Sequence, residues 1–276
     1  MQDALEKRNA QLAYADATQL TACLGAGEDV KGSGIIISEW DLLLAREIPG
    51  GSLEQVIFRM DALHQLENAG LRVVNSPYAI EKMVDKYYTL SLLQRVGLRV
   101  PETRITEDFT QAMEAFQALG RDVVVKPLFG SRGIGMVRIT DEDVAGRVFH
   151  ALQLGGYVYY LQQFLPHNNR DLRVMVVGDD CIAAMERIAD TWKTNLAAGA
   201  RPMRAELSPD VQEICLQASH TLGADYCGVD LLRNENGELF ILEVNSMPAW
   251  QGLQQVTSYN IADRIAEHCL SLVKNK

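Results

Sequence analysis

The sequence lacks the features that mark a membrane protein, a secreted protein or a nucleic-acid-binding protein. No apolar run among the 276 residues reaches the length of a bilayer-spanning helix, and the opening stretch MQDALEKRNAQLAYAD has no basic segment followed by an apolar one. Lysine and arginine number 26 against 36 aspartates and glutamates, so the net charge of −10 opposes contact with nucleic-acid backbones. We therefore expect a cytoplasmic protein with no membrane and no nucleic-acid partner.

Cysteine is scarce and its spacing is uninformative. The five cysteines form no CxxC pair, which argues against a disulfide framework and against a zinc knuckle. Small buried apolar positions are the expected role for each of them. They are Cys23, Cys181, Cys215, Cys227 and Cys269.

Hydrophobic residues make up 47% of the chain, which is enough for two cores rather than one. Residues 1–75 alternate helical and extended patterns, as a small α/β unit does. Within them, Ser52 caps a helix over residues 52–69 that Gly70 ends. A further single helix is predicted from about residue 79 to 96. Hairpins interleaved with helices fill the second half, so we expect α/β followed by α+β structure.

Two strands near the C-terminus carry a candidate metal site. Residues 227–233 and 239–244 flank the turn sequence Asn-Glu-Asn-Gly, which predicts a hairpin with Asp230 opposite Glu243. Glu243 and Asn245 lie two positions apart and share one face of their strand. Three hard oxygen donors suit Mg²⁺, which usually also binds phosphate oxygens. Taken alone, such a carboxylate pair is more often an ordinary polar network of a hairpin.

A lysine followed by a glycine-rich turn forms the second motif. The strand 122–126 ends at Lys126, and a turn over residues 130–135 leads into the next strand. Backbone N–H groups of such a turn can bind phosphate, although the pattern is not a Walker P-loop. The alternative for Lys126 is a solvent-exposed strand end. The turn contains Gly130, Ser131, Arg132, Gly133, Ile134 and Gly135.

Paired arginines form the third motif. The sequence Asp171-Leu-Arg173 opens the first strand of a predicted hairpin with its turn near Gly178, and Glu186-Arg187 lies in the return strand. We expect Arg173 and Arg187 to face one another across the hairpin, with an anion between the two guanidinium groups. Surface salt bridges to Asp171 and Glu186 are the alternative.

These elements together resemble the ATP-grasp superfamily, and more narrowly the RimK group of amino-acid ligases. The resemblance runs from about Asp41 to the C-terminus. It is carried by Lys86 and Lys126 and, in order, by the glycine turn and the segments QQFL, DLRVMVVGD, AAMERIA, KTNLAAGA, GVDLL and LEVNSMPAWQG.

The resemblance implies an ATP-grasp fold in which two lobes clasp ATP. Residues 1–78 correspond to a small N-terminal pre-ATP-grasp α/β domain. Such domains usually open with a β-strand, whereas this sequence opens with a helical pattern, so we expect either a truncated start or the absence of that strand. Residues 79–276 correspond to the ATP-grasp domain. Its lobe 79–164 carries the glycine turn, and its lobe 165–276 carries the metal site.

The resemblance also implies a role for each matching residue. Mg²⁺, with Mn²⁺ as an alternative metal, is assigned to Asp230, Glu243 and Asn245. Substrate binding is assigned to Arg173, Arg187 and Asn195, and catalysis to Arg187 and Lys126. ATP binding is assigned to Lys86, Lys126, Gly130, Ser131, Arg132, Gly133, Ile134, Gly135, Gln163, Phe164, Leu165, Asp171, Lys193 and Asn195. The chain departs from the family at Gln163, where a glutamate is usual, and at Lys193, where an arginine is usual.

The implied reaction joins a carboxylate to an amine at the expense of ATP. The carboxylate is phosphorylated to an acyl phosphate, which the amino group of L-glutamate then attacks. Residues 46–55 and the segment NSPYAIEKMVDK resemble the branch that acts on tetrahydromethanopterin-type or deazaflavin-type cofactors, so a small-molecule acceptor is expected, in a homo-oligomer. The alternatives are glutamylation of a ribosomal protein tail and a non-catalytic nucleotide sensor.

Overall fold

The computed structural model describes residues 1–25, 30–130 and 133–274 of the chain. The helices within these residues are α1 (Gln2–Glu6), α2 (Leu53–Asn68), α3 (Pro77–Val84), α4 (Lys86–Arg95), α5 (Phe109–Ala118), α6 (Glu142–Leu154), α7 (Pro209–Leu222), α8 (Gln251–Val256) and α9 (Ile261–Lys274). No helix in the described ranges is long and apolar enough to cross a membrane.

The strands of the described residues form four sheets. The strands are β1 (Leu20–Ala22), β2 (Val30–Gly32), β3 (Ile35–Ile36), β4 (Leu42–Leu44), β5 (Arg72–Val74), β6 (Thr103–Thr106), β7 (Val123–Lys126), β8 (Val137–Ile139), β9 (Tyr159–Gln163), β10 (Arg170–Val177), β11 (Asp180–Ile188), β12 (Arg201–Arg204), β13 (Tyr226–Arg233) and β14 (Leu239–Asn245). This mixture of sheets and helices confirms the predicted α/β and α+β class.

A parallel pair of strands lies near the N-terminus. β4 and β5 run side by side and α2 connects them. Ser52 begins α2 because its side chain accepts a hydrogen bond from the Gln55 N–H, while the Gln55 side chain accepts one from the Ser52 N–H. The carboxyl ends of the two strands therefore meet at one edge, at Ala45 and Asn75. The small antiparallel sheet β1-β2-β3 lies before this pair, and its strands of two or three residues show too little alternation to be predicted as a sheet.

The single helix expected over residues 79–96 is wrong, because Asp85 divides it into α3 and α4. Asp85 has extended backbone angles, with φ −89° and ψ 104°. Its carboxylate accepts hydrogen bonds from the N–H groups of Tyr87 and Tyr88, at 2.9 Å and 3.0 Å. Asp85 thus caps α4, and Lys86 becomes the first residue of that helix.

The first of the two larger sheets has the strand order β6-β9-β7-β8. α5 and α6 pack on one face of it, with Phe116, Phe149 and Tyr159 fully buried between the layers. Burying one such side chain contributes about 1.5–3 kcal/mol. This core holds β7 in the middle of the sheet, so Lys126 at its end has a fixed position.

The second large sheet is antiparallel, with the order β12-β11-β10-β13-β14. α4 and α7 cover one face. The other face has two parts. At one end, Met175, Val177 and Tyr226 pack against α8, α9 and β5. At the other end the same face carries charged side chains. These point into a cleft that separates them from the four-stranded sheet.

Candidate active site

A cleft separates the four-stranded sheet from the polar end of the five-stranded sheet. It encloses about 840 Å³, counting the part that opens to solvent. Most predicted site residues that the structure describes line it. They are Lys86, Lys126, Gly130, Gly133, Ile134, Gln163, Phe164, Leu165, Asp171, Arg187, Lys193, Asn195, Asp230 and Glu243.

Three of the predicted and described residues lie outside the lining of this cleft, namely Gly135, Arg173 and Asn245. Asn245 instead lines a smaller neighbouring cavity, which shares Lys86, Gly130 and Glu243 with the cleft. Ser131 and Arg132 fall outside the described residues.

Asp230 lies at the centre of a buried network of ion pairs. Its Oδ1 accepts from Arg173 Nε, and its Oδ2 accepts from Arg173 Nη2 at 2.6 Å and from Arg187 Nη2 at 2.9 Å. Arg187 also holds Asp171 through both oxygens, with Nε 2.7 Å from Oδ1. Arg173 Nη2 is in addition 3.9 Å from Glu243 Oε1. Five charged groups thus form one continuous chain.

The expectation that Arg173 and Arg187 face one another is wrong. Arg173 pairs across β10–β11 with Met185, and Arg187 pairs with Asp171. A β-bulge between Met175 and Val176 shifts the register by one residue, so Arg187 lies on the same face as Asp171 and Arg173. The anion between the two guanidinium groups is Asp230 from the neighbouring strand β13.

The charge of Asp230 is fixed by this network. Burial opposes its ionisation, but the Arg173 and Arg187 guanidinium groups outweigh burial and lower the pKa of Asp230 to about 2. Asp230 is 3% exposed, so water does little to screen these interactions. The carboxylate stays ionised at any physiological pH.

Glu243 and Asn245 extend the same face of the sheet. Glu243 pairs with Asp230 as expected, and Asn245 Nδ2 donates to Glu243 Oε1 at 3.0 Å. Within the described residues, no three carboxylate, imidazole or thiol groups gather as a metal cluster. The set instead combines two carboxylates with one amide. These hard oxygen donors fit Mg²⁺, provided that phosphate and water oxygens complete its octahedral shell.

Two lysines reach the cleft, Lys126 from the four-stranded sheet and Lys86 from the start of α4, which packs on the five-stranded sheet. Lys126 Nζ donates to Gln162 Oε1 at 2.6 Å, and burial lowers its pKa to about 8 although Glu243 partly offsets the effect. Lys86 Nζ donates to the carbonyls of Leu128 and Gly130, at 3.2 Å and 2.9 Å. Burial also lowers the pKa of Lys86. A buried ammonium group of this kind favours an incoming anion.

Gly133 of the glycine turn closely approaches the loop between β11 and β12. Gly133 has φ +73°, and a Cβ added there would collide with the Asn195 side chain. Ile134 beside it is 75% exposed. The left-handed backbone thus favours glycine at position 133, and an added Cβ would displace the Asn195 side chain.

Aromatic side chains line the end of the cleft at the predicted hinge. The Phe164 ring lies under the Arg138 guanidinium group, 3.4 Å from its carbon, and faces the edge of Trp192 with ring centres 6.3 Å apart. The N–H groups of Gln163 and Phe164 donate to the Glu102 and Asp122 carbonyls at 2.8 Å and 2.9 Å. Lys193 Nζ sits 5.2 Å from the Trp192 ring centre.

Three further residues of the cleft have no role among the sequence-based predictions. Gln162 is 2% exposed and holds Lys126, while its Nε2 donates to Thr103 Oγ1 at 3.0 Å. His167 is buried, and its Nδ1 has no partner among the described residues. Trp192 forms part of the wall. Alternation along the strand before the hinge could have pointed to Gln162, since it faces the same way as Tyr160, the cross-strand partner of Lys126.

Comparisons with known proteins agree with this geometry. Residues 83–269 match the family model of the RimK-like ATP-grasp domain. A tetrahydromethanopterin:alpha-L-glutamate ligase from Methanocaldococcus jannaschii is 35% identical over 225 residues, covering 79% of this chain and 76% of the relative. A ribosomal protein bS6–L-glutamate ligase from Escherichia coli is 32% identical over 208 residues, covering 74% and 69%.

Solved structures show the same fold. The ATP-grasp ligase PsnB, in a structure with minimal precursor, Mg and ADP, aligns with a TM-score of 0.76 at 21% identity, covering 98% of this chain and 92% of that one. The resemblance drawn from the sequence motifs is thereby confirmed. The chain belongs to the RimK-like ATP-grasp family.

Proposed function

We propose that this protein is an ATP-dependent ligase that joins the amino group of L-glutamate to a carboxylate of a tetrahydromethanopterin-like cofactor. The tetrahydromethanopterin:alpha-L-glutamate ligase of Methanocaldococcus jannaschii aligns over most of both chains. The observation that carries the proposal is one cleft in which Lys86 and Lys126 face Asp230 and Glu243. Ammonium groups and metal-binding oxygens that line the same cleft suit a magnesium-bound polyphosphate.

The triphosphate of ATP would lie between the two sheets. Lys86 and Lys126 offer ammonium groups to its oxygens, and the glycine turn offers backbone N–H groups. Mg²⁺, held by Asp230, Glu243 and Asn245, would supply charge neutralisation at the β- and γ-phosphates. The adenine would lie near Phe164 and Trp192, and its ribose near Asp171.

The chemistry proceeds in two steps. An acceptor carboxylate oxygen attacks the γ-phosphorus, so an acyl phosphate forms and ADP leaves. The glutamate amino nitrogen then attacks the acyl carbon, phosphate leaves, and an amide forms with loss of a proton. Arg187 stays fully charged between Asp171 and Asp230, so it can stabilise the negative charge on the transferred phosphoryl group.

The lobe arrangement follows from the same proposal. Residues 79–164 stay the predicted lobe with Lys126 and the glycine turn, and residues 165–276 the predicted lobe with the metal ligands. Lys86, at the start of α4, joins them from a helix that packs on the five-stranded sheet. Closure of the two lobes on ATP would exclude water from the acyl phosphate. The cytoplasmic location, the homo-oligomer, the absence of nucleic-acid partners and the N-terminal domain over residues 1–78 stay predictions.

A ribosomal protein tail is the second candidate acceptor. The Escherichia coli relative with that substrate in its name aligns at 32% identity. The two candidates can be separated with purified enzyme, Mg-ATP and L-glutamate. We expect ADP release that depends on the pterin cofactor, and a cofactor heavier by one glutamyl residue in mass spectrometry. Turnover with the ribosomal tail alone would favour the second candidate.

One substitution tests whether the protein is an enzyme or a non-catalytic nucleotide sensor. Glu243→Gln keeps the shape of the side chain but removes one metal-binding charge. We expect the variant to stay folded and to lose ADP formation by about a hundredfold or more. Binding of ATP without turnover in the unaltered protein, with every acceptor tried, would support the sensor.

A further inference from the structure

The segment of residues 45–52 takes no part in the ATP cleft, yet it is held firmly. It follows β4 at the carboxyl end of the parallel pair β4–β5, the place where α/β units usually bind ligands. Arg59 on α2 is 6% exposed, and its Nη1 donates to the carbonyls of Pro49 and Gly50. The turn is thereby fixed against α2.

Arg46 in this segment is held by uncharged groups of β13 and of the loop between β14 and α8. Its Nη1 donates to Tyr226 Oη at 3.0 Å, and its Nη2 donates to the Pro248 carbonyl at 3.4 Å. Its guanidinium carbon lies 4.2 Å from the centre of the Trp250 ring. Tyr226 Oη in turn donates to the Ala45 carbonyl at 3.1 Å. The guanidinium plane is therefore fixed before any ligand arrives.

No carboxylate among the described residues forms an ion pair with this guanidinium group. In the described parts of the chain, neither Arg46 nor Arg59 forms an ion pair, although the protein carries an excess of acidic residues. Nε of Arg46 likewise has no acceptor among those residues. A half-buried, preorganised guanidinium group with free donors binds carboxylate well, because its planar N–H groups match both oxygens.

Pro248 connects Arg46 to the ion-pair network of the cleft. A Cβ added at Gly228 would lie 3.0 Å from Pro248 Cβ and 3.4 Å from Arg173 Cδ, so Arg173 and Pro248 meet over Gly228. Arg173 uses Nε and Nη2 on Asp230, and its Nη1 has no acceptor among the described residues. Two guanidinium groups with unused donors thus flank Pro248.

We propose that Arg46, together with Nη1 of Arg173, binds a substrate carboxylate that is not itself phosphorylated. The inference rests on the proposed function, since it concerns the ligands of the same reaction. L-Glutamate carries two such carboxylates, and the acceptor is the other source. Binding here would hold the substrate beside Asp230 and Glu243, where the acyl phosphate is formed.

The test compares Arg46→Gln with Arg264→Gln, a matched control in α9 whose side chain is 45% exposed. In Arg46→Gln we expect the KM of one carboxylate substrate to rise by about tenfold to a hundredfold. The KM of ATP and kcat should stay within about twofold of the unaltered protein. Arg46→Lys keeps the charge but loses the planar fork, so it should show a smaller rise. Arg46→Lys also provides the test of the proposal if Arg46→Gln does not fold.

The outcome identifies the source of the carboxylate. A rise confined to L-glutamate assigns Arg46 to the amine substrate, and a rise confined to the pterin acceptor assigns it to the acceptor. Unchanged KM values for both, or an equal rise for ATP, would overturn the inference. Should the unaltered protein show no turnover, the proposed function fails separately. Calorimetric titration of L-glutamate and of the pterin into both proteins, with ADP and Mg²⁺ present, then decides the inference.

Discussion

Arg173 and Asp230 form a bidentate ion pair in which Arg173 Nη2 lies 2.6 Å from Asp230 Oδ2, and the two side chains are only 12% and 4% exposed. The carboxylate predicted to bind metal is therefore already neutralised by protein cations. A buried pair of this kind holds its geometry because separation would leave both charges desolvated. Metal binding at Asp230 must share its oxygens with Arg173 and Arg187.

The depressed pKa of Asp230 predicts a loss of stability in acid. Its pKa falls from 3.8 to about 2 in the folded protein, so its contribution is present above pH 3.8 and is lost as pH falls toward about 2. The contribution is about 2 kcal/mol of unfolding free energy. Urea unfolding at several pH values measures it. In Asp230→Asn this part of the pH dependence should vanish, and an unchanged slope would contradict the assignment.

Two β-bulges explain how much of this site the sequence could predict. Counting back from the Asn-Glu-Asn-Gly turn, regular pairing places Leu242 opposite Asp230. A bulge between Asp230 and Leu231 shifts the register and places Glu243 there. The predicted pairing of Asp230 with Glu243 is confirmed, but the bulge that produces it leaves no clear trace in composition or periodicity.

The second bulge accounts for the error over the paired arginines. Without it, Glu186 rather than Arg187 would lie opposite Asp171. The contact of Arg173 with Asp230 also depends on the pairing of β10 with β13, which are far apart in sequence. Periodicity predicts the face that a side chain takes within one strand, whereas bulges and distant strand pairing decide which side chains meet. Helix α7, with Pro209 at its start and Gly223 after its end, needed only local signals.

Lys126 predicts a pH dependence of ATP binding. Burial lowers its pKa to about 8, so the ammonium form is lost as pH rises through that value. Phosphate oxygens favour the charged form, so binding should take up protons near pH 8, and the affinity should fall above it. Calorimetry in buffers of different ionisation enthalpy measures the uptake. Lys126→Arg stays charged and should bind without this dependence, whereas an unchanged profile would exclude Lys126 as the titrating group.

The fluorescence emission of Trp192 should change when nucleotide binds. The Trp192 ring lines the cleft edge-on to Phe164, whereas Trp40 does not line it. We expect ADP with Mg²⁺ to change the tryptophan emission of the unaltered protein and of Trp40→Phe, but not that of Trp192→Ala. Loss of the aromatic wall should also weaken nucleotide binding by about tenfold. Equal emission changes in both variants would remove Trp192 from the binding site.

Alanine substitutions at Gly133 and Gly156 distinguish the effect of backbone strain from the effect of the close approach across the cleft. Both have left-handed backbones, with φ +73° and +66°, but only at Gly133 would a Cβ meet another group, the Asn195 side chain. Alanine at either position should cost about 1–2 kcal/mol of unfolding free energy. Only Gly133→Ala should also weaken ATP binding and turnover, because it pushes the glycine turn away from Asn195. Urea unfolding and ATP titration of the two variants provide the comparison. If Gly133→Ala binds ATP as tightly as Gly156→Ala, the contact between the turn and Asn195 does not shape the site.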